Sequence, residues 1–164
     1  MILHASMSAK TEVKPVDEAM VQMHALDIRI DKLYRITSGF FVPEEGKTSQ
    51  SKKEEIPATL EPVMPPREIF NLTPGVYSFD AVQSVEMAEG EAGWLVPRSS
   101  LTRNGVDVRS ALYDAGYKGG VNGIIVVHNP HGCSIERNAR VAQFVIVKAE
   151  TAKLYDGQYQ GGKK

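Results

Sequence analysis

The sequence is poor in the features that mark secreted, membrane and nucleic-acid-binding proteins. Its single cysteine, Cys133, excludes an internal disulfide and favours a reducing, cytoplasmic setting. No apolar run approaches the roughly 20 residues of a membrane helix, and the N-terminus is a poor signal peptide. A net charge of -1 gives no general attraction for nucleic acid. The 164 residues therefore predict one globular domain with neither a membrane nor a nucleic-acid partner.

Helical patterns are also scarce, and glycines and prolines separate short strand-like runs. In "ALDIRIDKLYRI" the apolar positions alternate at Leu26, Ile28 and Ile30 and resume at Leu33, which predicts a strand with a slip in register. "TPGVYSFDAVQSVEM", "AGWLVP", "NGIIVVHNP" and "ARVAQFVIVKAE" also read as strands. The one helix candidate, "VKPVDEAMVQMHAL", is short. The sequence predicts an all-β sandwich, jelly roll or barrel, with at most a short N-terminal helix.

Two segments differ in composition from the strands. Residues 43–66 are charged and bounded by prolines, and we expect an exposed loop with a short strand near residues 56–60. Residues 155–164 are polar and rich in glycine, which is typical of a flexible C-terminal arm. This arm is either a frayed terminus or a segment that closes over a bound anion. We therefore divide the chain into a single β domain, residues 1–154, and the arm.

Polar side chains are concentrated between Pro97 and Gly119. An arginine offers a planar fork of donors to a phosphate, hydroxyl groups add further donors, a carboxylate activates water or holds a metal, and a tyrosine offers a flat face to a sugar or base. The residues that provide these groups are Arg98, Ser99, Ser100, Arg103, Asp114 and Tyr117. Together they suit a phosphorylated ligand that carries a ring. The same composition also fits two ordinary surface turns.

Five segments in a fixed order carry a family resemblance: "PRSSLTRNG", "DAGYKG", "VVHNPHG", "RNARVAQFV" and "YDGQYQGG". They resemble the dUTPase and dCTP deaminase superfamily, most closely its archaeal-type dUTPases. The resemblance covers residues 72–162 well and "ALDIRIDKLYRI" more loosely. It implies a β-clip, or distorted jelly-roll, fold and a homotrimer with active sites near the subunit interfaces. The implied reaction is hydrolysis of dUTP to dUMP and pyrophosphate, with Mg²⁺ held through the substrate triphosphate.

The resemblance also implies roles for the residues that would bind phosphate. Arg98 and Ser99 match the phosphate-binding second motif of the family. Ser100 and Arg103 match positions that contact the triphosphate in the deaminase branch. Asp27 matches the acidic residue of the first motif, although the glycine that usually precedes it is missing from this chain.

Further matches concern the reacting water, the sugar and closure of the site. Asp114 matches the carboxylate that orients and activates the attacking water. Tyr117 matches the aromatic residue under the deoxyribose, and Gln143 matches the glutamine near the α-phosphate. Tyr159 and Gln160 match the closing C-terminal motif.

One position separates deaminases from hydrolases in the resemblance. The deaminases carry a glutamate three residues before the asparagine of the central strand, where this chain has Val126 before Asn129. A valine cannot carry protons, so we expect hydrolysis without deamination. A dCTP deaminase, a bifunctional enzyme, a hydrolase of another deoxypyrimidine triphosphate, a non-catalytic nucleotide-binding regulator and a structural jelly-roll subunit remain as alternatives.

Overall fold

The computed structural model describes residues 1–4 and 8–162, and most of this chain lies in antiparallel β-strands. The strands are β1 (Ile2–Leu3), β2 (Glu12–Lys14), β3 (Leu26–Ile36), β4 (Lys53–Ile56), β5 (Thr59–Glu61), β6 (Arg67–Leu72), β7 (Gly75–Glu86), β8 (Glu91–Pro97), β9 (Val106–Arg109), β10 (Lys118–Val127), β11 (Cys133–Glu136) and β12 (Arg140–Lys148). One short helix, α1 (Ser99–Arg103), and two 3-10 turns, Glu18–Met20 and Gln160–Gly162, complete the described elements. The predicted all-β class is confirmed.

Two antiparallel sheets contain these strands. The larger one follows the order β1-β12-β3-β7-β10-β9, with β2 on β7, β4 on β3 and β8 on β12. The smaller one has the order β11-β6-β5. The first part of β3 pairs with β12 and the later part with β7 and β4, so this one strand joins two differently directed parts of a curled sheet.

The predicted slip in β3 is a β-bulge. The register against β7 shifts between Ile30 and Lys32, which allows Ile28, Ile30 and Leu33 all to be fully buried. The extra residue, Asp31, points to the guanidinium of Arg137, with an Nη2–Oδ1 distance of 2.8 Å. The prediction of a register slip at this point of the strand is therefore confirmed.

Close packing around Gly93 of β8 positions the segment that contains Tyr113 and Asp114. A Cβ atom on Gly93 would stand 2.7 Å from the Phe144 ring and 2.9 Å from the Val145 carbonyl oxygen, so a glycine is required. Gly93 forms an isolated bridge with Tyr113. This contact holds the segment that contains Asp114 against the core.

Three regions differ from the sequence expectations. The N-terminal helix candidate forms only the 3-10 turn Glu18–Met20, and α1 was not predicted. Residues 43–66 are mostly exposed, as expected, but the one short strand expected near residues 56–60 is replaced by two, β4 and β5, with residues 57 and 58 between them. In the described part of the chain, no helix is long and apolar enough to cross a membrane.

Candidate active site

A cleft opens where the two arms of the β9–β10 hairpin separate. The last pair of the ladder joins Arg109 to Ile124. Beyond it the first arm turns to β8: the Tyr113 amide donates to the Gly93 carbonyl at 2.7 Å, and the Leu95 amide donates to Ser110 Oγ at 2.9 Å. β10 meanwhile continues along β7. The hairpin therefore opens between residues 110–114 and residues 120–124.

This opening forms part of a cavity of about 630 Å³. That size suits a nucleoside or another small ligand. Residues 48–51 and Phe40, from the loop between β3 and β4, cover part of it. The lining that matters for chemistry comprises Lys53, Ser78, Tyr113, Asp114, Tyr117 and Tyr159.

Tyr113 bridges the separated arms. Its hydroxyl donates to the Asn122 carbonyl at 2.8 Å and accepts from the Asn122 amide at 2.9 Å. These two hydrogen bonds take the place of those that a neighbouring strand would make with β10 at this position. Burial raises the pKa of the Tyr113 hydroxyl, which therefore stays neutral and able to donate. Tyr113 is not among the predicted site residues, because no residue-type pattern reveals a tyrosine that bonds to a strand edge.

Asp114 and Tyr117 lie together on one wall of the cavity. Asp114 is exposed and the Tyr117 amide donates to its carbonyl oxygen at 3.0 Å, which makes a tight turn. The Tyr117 ring is largely buried between Tyr113 and Tyr155, with ring centroids 5.4 Å and 5.6 Å away. Burial also raises the pKa of Tyr117. The turn thus presents an exposed carboxylate beside a wall of packed aromatic rings.

The C-terminal segment returns to this wall of its own chain. The Tyr155 amide donates to the Ala115 carbonyl at 2.8 Å. Gln160 accepts from the Lys118 amide at 3.0 Å and donates to the Gly116 carbonyl at 2.8 Å. Tyr159, between these anchors, lines the cavity. Tyr159 therefore shares the cavity lining with Asp114, and Gln160 contacts residues two and four positions after Asp114. Lys163 and Lys164, at the end of the same segment, lie outside the described residues.

A second group of predicted site residues surrounds the buried carboxylate of Asp27. Gln143, directly opposite on β12, donates to its Oδ1 at 3.3 Å. Arg98 and Arg140 approach its Oδ2, with Nε–Oδ2 and Nη1–Oδ2 distances of 3.5 Å and 3.2 Å. The carboxylate is fully buried while both guanidinium groups are about one-third exposed, so Asp27 fixes two cations that still face solvent.

Arg140 is not among the predicted site residues, although it lies in the segment "RNARVAQFV". With strict alternation along β12, Arg140 and Gln143 would face opposite sides. The register against β3 shifts between Arg140 and Ala142, which brings both side chains to Asp27.

The two groups lie apart within one chain. Arg98 follows β8 five residues after Gly93, the residue that bridges to Tyr113, which is about 16 Å of extended strand. Ser99, Ser100 and Arg103 lie exposed on α1 beside Arg98. None of the phosphate-binding candidates is part of the cavity lining.

Comparison with known proteins identifies the family. A model of the dCTP deaminase-like family matches residues 2–149. The chain belongs to this family. It is 32% identical over 148 residues to a probable deoxyuridine 5'-triphosphate nucleotidohydrolase of Halobacterium salinarum, covering 90% of this chain and 87% of that protein. It is also 32% identical over 164 residues to the deoxyuridine 5'-triphosphate nucleotidohydrolase of Methanocaldococcus jannaschii, covering 98% and 99%.

Solved structures of similar shape support the same fold. The 2'-deoxycytidine 5'-triphosphate deaminase of Agrobacterium tumefaciens has a TM-score of 0.60 at 18% identity, covering 84% of this chain and 43% of its own. The dUTPase of phage phi11 of S. aureus has a TM-score of 0.54 at 16% identity, covering 91% and 96%. The predicted membership of the dUTPase and dCTP deaminase superfamily, with its fold, is confirmed.

Proposed function

We propose that this dCTP deaminase-like protein hydrolyses dUTP to dUMP and pyrophosphate. The observation that carries the proposal is the cavity in the opened hairpin, where Asp114, Tyr117 and Tyr159 line one space of nucleoside size. Relatives named as dUTP nucleotidohydrolases over nearly the whole chain support the same reaction. The nucleoside would occupy the cavity, with its sugar against the Tyr117 ring.

Asp114 acts as the general base in this proposal. Its carboxylate accepts a proton from a water molecule while the water oxygen forms a bond to the α-phosphorus. The bond between that phosphorus and the oxygen bridging to the β-phosphate breaks, and pyrophosphate leaves. A positioned base of this kind accelerates a reaction by about 10²–10⁴-fold.

The Asp27 group provides the phosphate-binding half of the proposed site. A triphosphate repels an incoming nucleophile, so its charge must be spread before water attacks. Arg98, with the hydroxyl groups of Ser99 and Ser100, supplies donors for phosphate oxygens, and Gln143 is assigned next to the α-phosphate. Arg140 places a second guanidinium group next to Asp27 and belongs to the same proposed half-site.

Mg²⁺ fits this site only through the substrate. Among the described residues, no cluster of three or more His, Cys, Asp or Glu side chains could hold a metal ion. The Asp27 carboxylate is already engaged by two guanidinium groups and an amide. When bound to the triphosphate oxygens, Mg²⁺ would neutralise charge and orient the chain of phosphates.

We further propose a homotrimer whose sites combine two subunits. The separation of the Asp27 group from the cavity within one chain supports this arrangement, because a second copy could bring its Arg98 to the cavity of the first. The C-terminal segment, by contrast, contacts the Asp114 turn of its own chain.

The test is release of pyrophosphate from dUTP, dCTP, dTTP and UTP, with ammonia measured alongside. We expect pyrophosphate from dUTP and no ammonia. Asp114→Asn should keep dUTP binding and lose about 10²–10⁴-fold in turnover, whereas Glu89→Gln, which changes an exposed carboxylate outside the cavity lining, should keep wild-type turnover. Wild-type turnover by Asp114→Asn would show that Asp114 is not the general base. Release of ammonia from dCTP would identify a deaminase. Binding without turnover would identify a nucleotide-binding regulator.

A further inference from the structure

The inner end of the cavity is marked by a lysine that the proposed mechanism does not use. Ser78 on β7 pairs with Ile124 on β10, and Ile124 is also in the last pair before the hairpin opens. Lys53, the first residue of β4, donates from Nζ to Ser78 Oγ at 2.8 Å. Both side chains line the cavity. Lys53 itself is exposed, but its ammonium group contacts a largely buried serine, which places that group at this end of the cavity.

The cavity has a direction set by its walls. Tyr117, in one turn with Asp114, donates from its hydroxyl to the Gly120 carbonyl at 3.0 Å, which places this turn at the open end of the hairpin. Tyr113 bridges to Asn122 in the middle. From Asn122 to Ile124 the strand advances about 7 Å, which is enough for a pyrimidine ring with its substituents. A nucleoside whose sugar lies on Tyr117 therefore extends its base toward Lys53.

Position 4 of a pyrimidine lies across the ring from the nitrogen that carries the sugar. In this orientation, the group at position 4 is the part of the base nearest to the Lys53 ammonium. That group is a carbonyl oxygen in uracil and an amino group in cytosine. An ammonium has three donors and no acceptor, so it binds the carbonyl and leaves the amino group facing a second donor.

The charge of Lys53 is available for this contact. Its neighbour on β4, Glu55, pairs with Lys32 at 3.7 Å, and the ion pairs found among the described residues do not include Lys53. We infer that Lys53, held by Ser78, recognises the carbonyl at position 4 of the pyrimidine and rejects a 4-amino group. This inference rests on the proposed hydrolysis of a deoxypyrimidine triphosphate and assigns its base selectivity to a side chain.

The decisive variant is Lys53→Gln, because an amide can turn either its oxygen or its nitrogen to the base. We expect the ratio of kcat/KM for dUTP over dCTP to fall at least about tenfold, since the amide no longer leaves the 4-amino group without a partner. Lys53→Arg keeps only donors and should keep the preference. Lys52→Gln is the matched control, because Lys52 is an adjacent exposed lysine outside the cavity lining.

A binding measurement separates selectivity from turnover. Calorimetry with dUMP and dCMP should show the same loss of discrimination in Lys53→Gln. An unchanged ratio in both assays contradicts the inference, as does a wild-type protein that hydrolyses dCTP as readily as dUTP. A different result would contradict the proposed function itself: a wild-type protein that releases no pyrophosphate from any of the nucleotides.

Discussion

Tyr113→Phe tests whether the cavity depends on one hydroxyl group. The substitution removes the oxygen that donates to the Asn122 carbonyl and accepts from the Asn122 amide. It leaves the ring and its contacts with Tyr117 and Phe144, whose centroids lie 5.4 Å and 5.2 Å away. The bridge to Gly93 also remains because it uses backbone atoms. Any effect can therefore be assigned to the two hydrogen bonds.

The expected loss follows from those two bonds. A typical intramolecular hydrogen bond contributes about 1 kcal/mol net, and a buried group left without a partner costs about 1–3 kcal/mol. Tyr113 itself is 7% exposed, but the Asn122 groups border a cavity that water can enter. We therefore expect the free energy of unfolding to fall by about 2 kcal/mol, without the further cost of a buried group left unpaired. Turnover should also fall about tenfold or more, because Asp114 is the next residue and small displacements of reacting groups are costly.

Urea denaturation at a fixed protein concentration measures the first quantity, and steady-state kinetics with dUTP measures the second. Tyr159→Phe is the control for stability, since no hydrogen bond of its hydroxyl is found in the described part of the chain and the residue is 45% exposed. Its free energy of unfolding should change by less than about 0.5 kcal/mol. If Tyr113→Phe is as stable as this control, the hydroxyl does not hold the arms together and the reasoning is refuted.

Two further predictions concern assembly and closure. Arg98→Ala and Asp114→Asn should each be inactive alone, but subunits mixed by partial unfolding and refolding should regain dUTP hydrolysis; no recovery would argue against a site shared between chains. Gln160→Ala removes the contacts with the Lys118 amide and the Gly116 carbonyl, so we expect faster proteolysis of the C-terminal segment and a several-fold higher KM. Wild-type behaviour in both assays would show that these contacts do not order the arm.

The strands were predictable because their side chains alternate between the core and its surface. The pattern of Leu26, Ile28, Ile30 and Leu33 indicated both a strand and the position of its bulge. The helix α1 was not predictable in this way. It has five residues and no buried residue, so no apolar period marks it.

Only the site residues that belong to a sequence motif could be predicted. Asp114 and Tyr117 lie together because they belong to one tight turn, and the sequence interval alone implies their proximity. Lys53 belongs to a segment that looked like an exposed loop, and its approach to Ser78 depends on the pairing of β4 with β3 and of β3 with β7. Local periodicity contains no information about which strands become neighbours. Residues that depend on such pairing are therefore missed when a sequence is read segment by segment.

Hydrolysis without deamination stays a prediction, and the residues at the inner end of the cavity bear on it. Val126 is half-buried on β10, two residues beyond Ile124; Ile124 lines the cavity, whereas Val126 lies beyond its lining. The carboxylate directly opposite it, Asp107, is bonded by Arg109 and lies outside the cavity lining. Attack of water on a cytosine ring needs a nearby group that moves protons. Among the described residues that line the cavity, the only carboxylate is Asp114, which lies at the opposite end from Lys53. In the proposed orientation the base would meet an apolar strand and the ammonium of Lys53, which favours a carbonyl over an amino group at position 4.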